Sequence, residues 1–250
     1  DRMRIIGVDP SVGEDGERQN MSVRYAPAVR RADIDVSRGE RRALADLSAE
    51  LAAKGFDDPA LLDAIEKTPR APFLPDGWAD HAFRDRPVPI DCGQTLEAPS
   101  DFALLLVAAG VRTGHRLLEV GTGTGWGTAV LAAIAAKVYT VERFQRLGEA
   151  AAERFAALGC DNVVASVHDG LDGWSRHAPF DRIVVAGSLA EPPAALIGQL
   201  GIGGILVATI GAVGGEQMLT RFERTERGQL VEPLRRHRAV PLIPGRAAAL

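Results

Sequence analysis

The chain has 250 residues, 46% of them hydrophobic and 25% charged, with a formal net charge of -4. These values suit one globular domain with a substantial core and exclude a disordered chain, and they offer no basic surplus for nucleic acid or an anionic membrane. No apolar run reaches the length of a membrane helix, and the two cysteines, Cys92 and Cys160, lack metal-ligand spacing, so the expected setting is a reducing cytoplasm with no metal, membrane or nucleic-acid partner.

Residues 1–36 are polar, irregular and punctuated by Gly and Pro, and they read as a flexible extension. Ser37 and Glu40 make a capping box, and Leu44, Leu47 and Leu51 repeat at helical spacing up to Gly55. Asp58-Pro59 opens a second helix carrying Leu61, Leu62 and Ile65, which Pro69 stops. From Pro69 to Pro99 the chain is loop-rich, and so long an irregular stretch in a compact domain points to function. Pro99 opens a third helix through Leu104, Leu105 and Val107.

Strands and helices then alternate. RLLEV (116–120), KVYTVE (137–142), VVASVH (163–168), RIVVAG (182–187) and GGILVATI (203–210) read as strands. Helices are expected over Gly125 to Ala136, Gln145 to Leu158 and Pro193 to Leu200. QMLTRFERT (217–225) and a last run near AVPLI (239–243) are expected to close the sheet as an antiparallel pair. The fold class is therefore α/β: a Rossmann-like, mostly parallel sheet with a C-terminal antiparallel strand pair and helices on both faces. Residues 37–250 form one domain, with a helical and loop subregion at 37–99 and a nucleotide-binding core at 100–250.

The strand 116–120 runs into Gly121-Thr122-Gly123-Thr124-Gly125-Trp126-Gly127. A dinucleotide fingerprint needs G-x-G-x-x-G. Counted from Gly121 the third glycine position is Trp126, and counted from Gly123 it is Thr128, so both registers fail. The third glycine lets helix and strand pack closely beside a pyrophosphate. In its place the motif carries an acid, Glu119, two residues before the first glycine. An acid there repels a pyrophosphate and suits a ligand with an ammonium group, such as S-adenosylmethionine, which has no phosphate. Glu142 ends the next strand, 21 residues after Gly121, where a carboxylate accepts both ribose hydroxyls. Asp169-Gly170 follows the third strand, at the adenine edge. All three acids fall at the carboxyl ends of parallel strands, where open α/β sheets bind ligands.

Several segments extend this pattern: AIEKTPRAPFLP, RPVPIDCGQT, LLEVGTGTGWGTAVLA, VYTVER, APFDRIVVAG, QLGIGGILVATIG and GGEQML. In this order they resemble the protein-L-isoaspartate O-methyltransferase family from about Leu44 to Gly245. The resemblance implies a seven-stranded methyltransferase sheet. It also implies methyl transfer from S-adenosylmethionine to the carboxylate of an isoaspartyl residue in a protein or peptide, which initiates repair through a succinimide. On the matching positions it places Gln94, Thr95, Leu96, Ser100, Glu119, Gly121, Thr122, Gly123, Glu142, Arg143, Asp169, Gly170 and Gln217 around the cofactor. Thr95 and position 97 fall beside the reacting groups. The oligomeric state is left open.

Position 97 is where the chain departs. The family typically reads Q-T-I-S-Q/A-P; here the run is Gln94-Thr95-Leu96-Glu97-Ala98-Pro99, with Glu97 in place of the serine. A serine hydroxyl donates a hydrogen bond to a carboxylate, whereas an ionised Glu only accepts. Two carboxylates ~4 Å apart at an effective dielectric of ~20 repel by about 4 kcal/mol, roughly a thousandfold in rate if all of it reached the transition state. Three arrangements meet this difficulty. Glu97 is protonated by the like-charge effect; or it turns away to cap the helix at Pro99; or the acceptor is not a free carboxylate. Two alternative functions stand beside isoaspartyl methylation: a homologue that still binds S-adenosylmethionine but has lost its acceptor chemistry, and a peptide-tailoring methyltransferase that esterifies an ordinary Asp.

Other residues read more plainly. Cys92 is a spectator beside Gln94, and His168 fills space at a strand end. Trp126 packs over the glycine turn. Arg235, Arg236, His237 and Arg238 form a solvated face, with an acidic peptide as their alternative partner. Ser188 is a candidate acceptor contact that partly replaces the missing hydroxyl.

Overall fold

The computed structural model of the protein describes residues 22–24 and 37–247; the expected flexibility of the rest of 1–36 lies outside the described residues. Inside that extension Ser22–Arg24 forms a short strand, β1, an element the sequence gives no pattern for. Helix α1 (Arg38–Ala53) starts at the capping box, in which Ser37 Oγ accepts from Glu40 N at 3.2 Å and the Glu40 carboxylate accepts from Ser37 N at 2.9 Å. Asp58 caps α2 (Pro59–Glu66) by accepting from Ala60 N at 2.8 Å. The stretch 69–99 is more ordered than its composition suggests. It holds short 3-10 turns and a hairpin of β2 (Val88–Ile90) and β3 (Gln94–Leu96). Helix α3 (Pro99–Ala109) follows, and Gly110 ends it at φ 60.

The alternating region is β4 (Arg116–Val120), α4 (Trp126–Ile134), β5 (Lys137–Glu142), α5 (Gln145–Ala157), β6 (Val163–Val167), β7 (Phe180–Leu189), the short α6 (Ala194–Ile197) and β8 (Leu200–Ile210). Strands β9 (Met218–Thr225) and β10 (Gly228–Arg236) complete the sheet. The order is β1-β6-β5-β4-β7-β8-β9-β10. The five strands from β6 to β8 are parallel and β9 and β10 are antiparallel, which gives the seven-stranded sheet; β1 adds an antiparallel eighth strand beside β6.

Successive residues of β4 enter opposite cores. Leu117 joins the cluster formed with α1 to α5, and Leu118 joins the one under α6. Both faces are thus covered, and the parallel strands are apolar on both sides, as burial demands.

The closing pair needs a correction. It consists of β9 and β10, not of β9 and the AVPLI run. All nine residues of β10 are exposed, so the strand carries no alternation of apolar and polar positions that would reveal it. Residues 239–243 instead form a strap with one parallel bridge, Ser188 to Pro241. Strand β4 lies between β5 and β7, so the chain order reverses there and a crevice opens at the carboxyl ends of these strands.

Candidate active site

The crevice is a cleft with about 1000 Å³ of empty space, mouth included. Its floor is the turn after β4. Gly121 has φ 97, and a Cβ there would stand 3.0 Å from Ala186 O, so both conformation and space require glycine. Glu119, 1% exposed, sits below the turn. Its Oε2 accepts from the Thr128 and Thr140 hydroxyls, the latter at 2.7 Å. Burial raises its carboxyl to about 7, against the two threonine hydrogen bonds. Glu142 is 5% exposed and accepts from Gly123 N at 2.9 Å and Phe144 N at 3.0 Å. Burial raises its pKa too, and those amides oppose the rise. Each oxygen keeps a free lone pair for a ligand hydroxyl. Asp169 accepts from Leu171 N at 3.0 Å and from Gly245 N, which ties the strap to the strand end.

The strap roofs the cleft with Val240, Pro241, Leu242 and Ile243. Ser188 N donates to Val240 O at 2.8 Å and Leu242 N donates to Ser188 O at 2.9 Å. Arg143 Nε donates to Gly245 O at 2.9 Å, and Arg143 O accepts from Ala247 N at 3.2 Å. Nothing in the sequence reading assigns this roof, although a short apolar run close to the C-terminus is the signal for it.

The third side is β3 and the link to α3. Gln94, Thr95, Leu96 and Glu97 line the cleft there. Their position depends on Arg70, 1% exposed, whose guanidinium donates to Arg84 O at 3.2 Å, Arg86 O at 3.1 Å and Glu97 O at 2.7 Å. Arg70 also lies 5.4 Å from the centre of the Trp126 ring, and Trp126 Nε1 donates to Thr68 O at 3.0 Å. Arg70 therefore clamps the acceptor-side loop against the start of α4. A lone Arg in TPRAPF carries no pattern that marks it as buried.

Glu97 does not cap α3. The N-cap is Ala98, with no side-chain hydrogen bond, and the free amide of Ser100 goes to Asp85 Oδ1 at 2.8 Å. The Glu97 side chain lines the cleft, and burial raises its carboxyl to about 7, with His237 pulling it down and Asp101 pushing it up. Burial thus favours the neutral form of this carboxyl.

Of the sequence-derived positions, Gln94, Thr95, Leu96, Glu97, Glu119, Gly121, Thr122, Gly123, Glu142, Arg143, Asp169 and Gly170 meet in this one cleft. Ser100 and Gln217 are not on its wall. Gln217 is spent on the roof: its Nε2 donates to Ser188 Oγ at 3.1 Å and its Oε1 accepts from Ala239 N at 3.1 Å. Ser188 Oγ donates to Ala239 O at 3.1 Å, so the hydroxyl holds the strap and does not face an acceptor. Cys92 has a pKa raised first by burial and then by Asp91, the reverse of an activated thiol. His168 is held between Ser166 Oγ and Gly173 O, both at 3.0 Å, and serves packing.

The donor set fits S-adenosylmethionine. Carboxylates face the cleft at three successive strand ends, the glycine turn leaves room for close approach, and the acids are poor company for phosphate. No group of three or more His, Cys, Asp or Glu among the described residues is arranged to hold a metal ion.

Comparison with known proteins gives the same direction. The profile of the family described as Protein-L-isoaspartate(D-aspartate) O-methyltransferase (PCMT) matches residues 42–246. A protein-L-isoaspartate O-methyltransferase of Caulobacter sp. (strain K31) is 43% identical over 200 residues, which covers 80% of this chain and 91% of the relative. One from Xanthobacter autotrophicus is 41% identical over 214 residues, covering 86% and 98%. A solved structure of a protein-L-isoaspartate O-methyltransferase aligns with a TM-score of 0.73 at 25% identity, over 79% of this chain and 65% of that one. A Plasmodium falciparum structure described as a PCMT in complex with S-adenosyl-L-homocysteine shows the same fold, with a TM-score of 0.69 at 23% identity over 79% of this chain and 97% of that one.

Proposed function

Because the chain belongs to the protein-L-isoaspartate O-methyltransferase family, we propose that this cleft uses S-adenosylmethionine to methylate the free α-carboxylate of isoaspartyl residues in damaged proteins and peptides. The observation that carries the reading is the row of carboxylates Glu119, Glu142 and Asp169 around one cleft, which Glu97 enters from the link between β3 and α3.

Bound there, S-adenosylmethionine supplies an electrophilic methyl group. The residues of this chain hold and orient. Glu119 faces the ammonium end, and its buried position strengthens that attraction. Glu142 accepts the ribose hydroxyls through its unused lone pairs. Asp169 and Gly170 border the base. Thr95 and Glu97 face the acceptor. The strap over 240–243 and the hairpin β2–β3 exclude water from the reacting groups and fix their approach, which is where most of the acceleration of such a displacement lies. Glu97 in its neutral form donates a hydrogen bond to the acceptor carboxylate, which a charged Glu97 would repel. The acceptor is thus an ordinary isoaspartyl carboxylate, and the two free cysteines fit a reducing, cytoplasmic setting. No described helix is long and apolar enough to cross a membrane.

Two measurements test these assignments. Calorimetry should show S-adenosylhomocysteine binding with micromolar-range affinity, about -8 kcal/mol, and E142A should weaken it by about 1–3 kcal/mol through lost charge-assisted hydrogen bonds. Methylation of an isoaspartyl peptide should give a base-labile ester. No binding, or a base-stable methyl product, contradicts the reading.

A further inference from the structure

The cofactor turn and the acceptor loop lie far apart in sequence, and an arginine outside the cleft wall ties them together. Arg154 sits half-buried on α5. That helix packs directly on the glycine turn. A Cβ on Gly125, whose φ is 94, would stand 2.7 Å from the Phe155 ring and 3.2 Å from Ala151 Cβ. From this close seat the Arg154 guanidinium reaches carbonyls on two different segments. Nη1 donates to Thr124 O at 3.1 Å, and Nε donates to Pro72 O at 3.0 Å.

Each carbonyl leads to one wall of the cleft. Thr124 follows Gly123, whose amide donates to the Glu142 carboxylate at 2.9 Å, so the place of the turn sets the place of that acid. The Thr124 side chain does not hold the turn, because its hydroxyl is buried without a hydrogen-bond partner. Pro72 lies in the 3-10 turn Ala71–Phe73, which Phe73 N closes by donating to Arg70 O at 3.0 Å. Phe73 is fully buried, which anchors this turn in the core. At its start stands Arg70, whose guanidinium holds Glu97 O at 2.7 Å. The other tie of this segment, Trp126 Nε1 to Thr68 O at 3.0 Å, goes to helix α4 and not to the turn before it.

We propose that Arg154 is a positioning residue that couples the two walls, so that a bound cofactor raises the affinity of the cleft for its acceptor peptide. The inference rests on the reading of the cleft as a site for S-adenosylmethionine and an isoaspartyl acceptor. A ligand that engages Glu142 orders the turn through the Gly123 amide. The rigid guanidinium fork passes that order to Pro72, and the 3-10 turn and Arg70 pass it to the Glu97 backbone. The acceptor loop then loses less freedom when the peptide binds, which is cooperativity without a change of shape. By linkage the peptide raises cofactor affinity by the same factor. A lysine at 154 would place one compact ammonium on a flexible stem and would not hold both carbonyls in a fixed plane.

The test uses the full chain, R154K and R154A. Calorimetry gives the Kd of one isoaspartyl peptide with and without saturating S-adenosylhomocysteine, and the ratio of the two values is the coupling factor. The unaltered protein should show a factor of about fivefold or more, and both variants less than about twofold. A role in stability alone would shift the melting temperature, or both Kd values together, and leave the ratio as it was. Should R154A fail to fold, R154K decides. A ratio near one in the unaltered protein, with the peptide bound and methylated, overturns the coupling and leaves the isoaspartyl reading intact. So does an undiminished ratio in either variant. A peptide neither bound nor methylated by unaltered protein that binds S-adenosylhomocysteine overturns the isoaspartyl reading, and the coupling with it.

Discussion

At the residue scale, Glu119 sets stability against function. Burial raises its pKa from the ordinary 4.5 to about 7, so the folded, ligand-free protein holds the proton more tightly than the unfolded chain does. The sign follows from linkage. The contribution is fully present below 4.5 and is lost as pH rises through about 7, above which the buried charge opposes folding. Glu97 and Glu142 are shifted the same way and add to the trend. Unfolding of the ligand-free protein, followed by denaturant titration, should therefore become easier from pH 5 to pH 8. E119Q removes one of the three charges while Thr128 and Thr140 keep an oxygen to bond. It should gain roughly 1–3 kcal/mol at pH 8 and flatten the pH slope, yet bind S-adenosylhomocysteine at least tenfold more weakly. A stability gain with unchanged affinity would show that Glu119 does not meet the ligand. The same scale shows what the sequence hid about Glu97. The helix start leaves no amide for Glu97 to cap, because Asp85, distant in sequence, already accepts from Ser100 N.

At the element scale, the strap after β10 matters most. It crosses the cleft because its amides and carbonyls find partners on β7 and at Arg143, and because Leu242 lies over Gly187. A Cβ on Gly187 would stand 2.7 Å from the Leu242 side chain and 2.9 Å from Val240 O. G187A should thus push the roof off the cleft. Overpacking of this kind costs about 1–3 kcal/mol, measurable by chemical unfolding. The distinguishing readout is faster proteolysis confined to the C-terminal segment and weaker S-adenosylhomocysteine binding. An unchanged Kd would mean that the strap is not a wall of the bound site. The element also explains a misread boundary. AVPLI is apolar because it covers a ligand cleft, which imitates the signature of a strand, whereas the true last strand, β10, is exposed on every residue and imitates a loop. His237 was hidden in the same way. Arg235, Arg236 and Arg238 around it are solvent-exposed, and only the Thr209 hydroxyl, far off in sequence, turns the histidine inward.

At the scale of the whole molecule, the parallel sheet was legible because strands buried on both faces must be continuously apolar, as in β4, β5 and β7. The cofactor cleft was legible because chemistry at strand ends is local: Glu119, Gly121, Glu142 and Asp169 each stand at a fixed place relative to their own strand. The acceptor side was not, because it is assembled from segments that meet only in the folded chain: Arg70 before the hairpin, Glu97 after it and the strap over 240–243 near the end. Burial, more than residue type, decides what these groups do, and burial of a charged residue leaves no periodic trace.

The account stands or falls on its acceptor. Two peptides of identical composition, differing only in whether one aspartyl residue is linked through its α- or its β-carboxyl, are offered to the protein with labelled S-adenosylmethionine at pH 6.5. The account predicts base-labile labelling of the isoaspartyl peptide at a rate at least a hundredfold above that of its aspartyl twin, about 2.7 kcal/mol of discrimination. Equal labelling of both peptides, or labelling of neither by protein that binds S-adenosylhomocysteine, would contradict it.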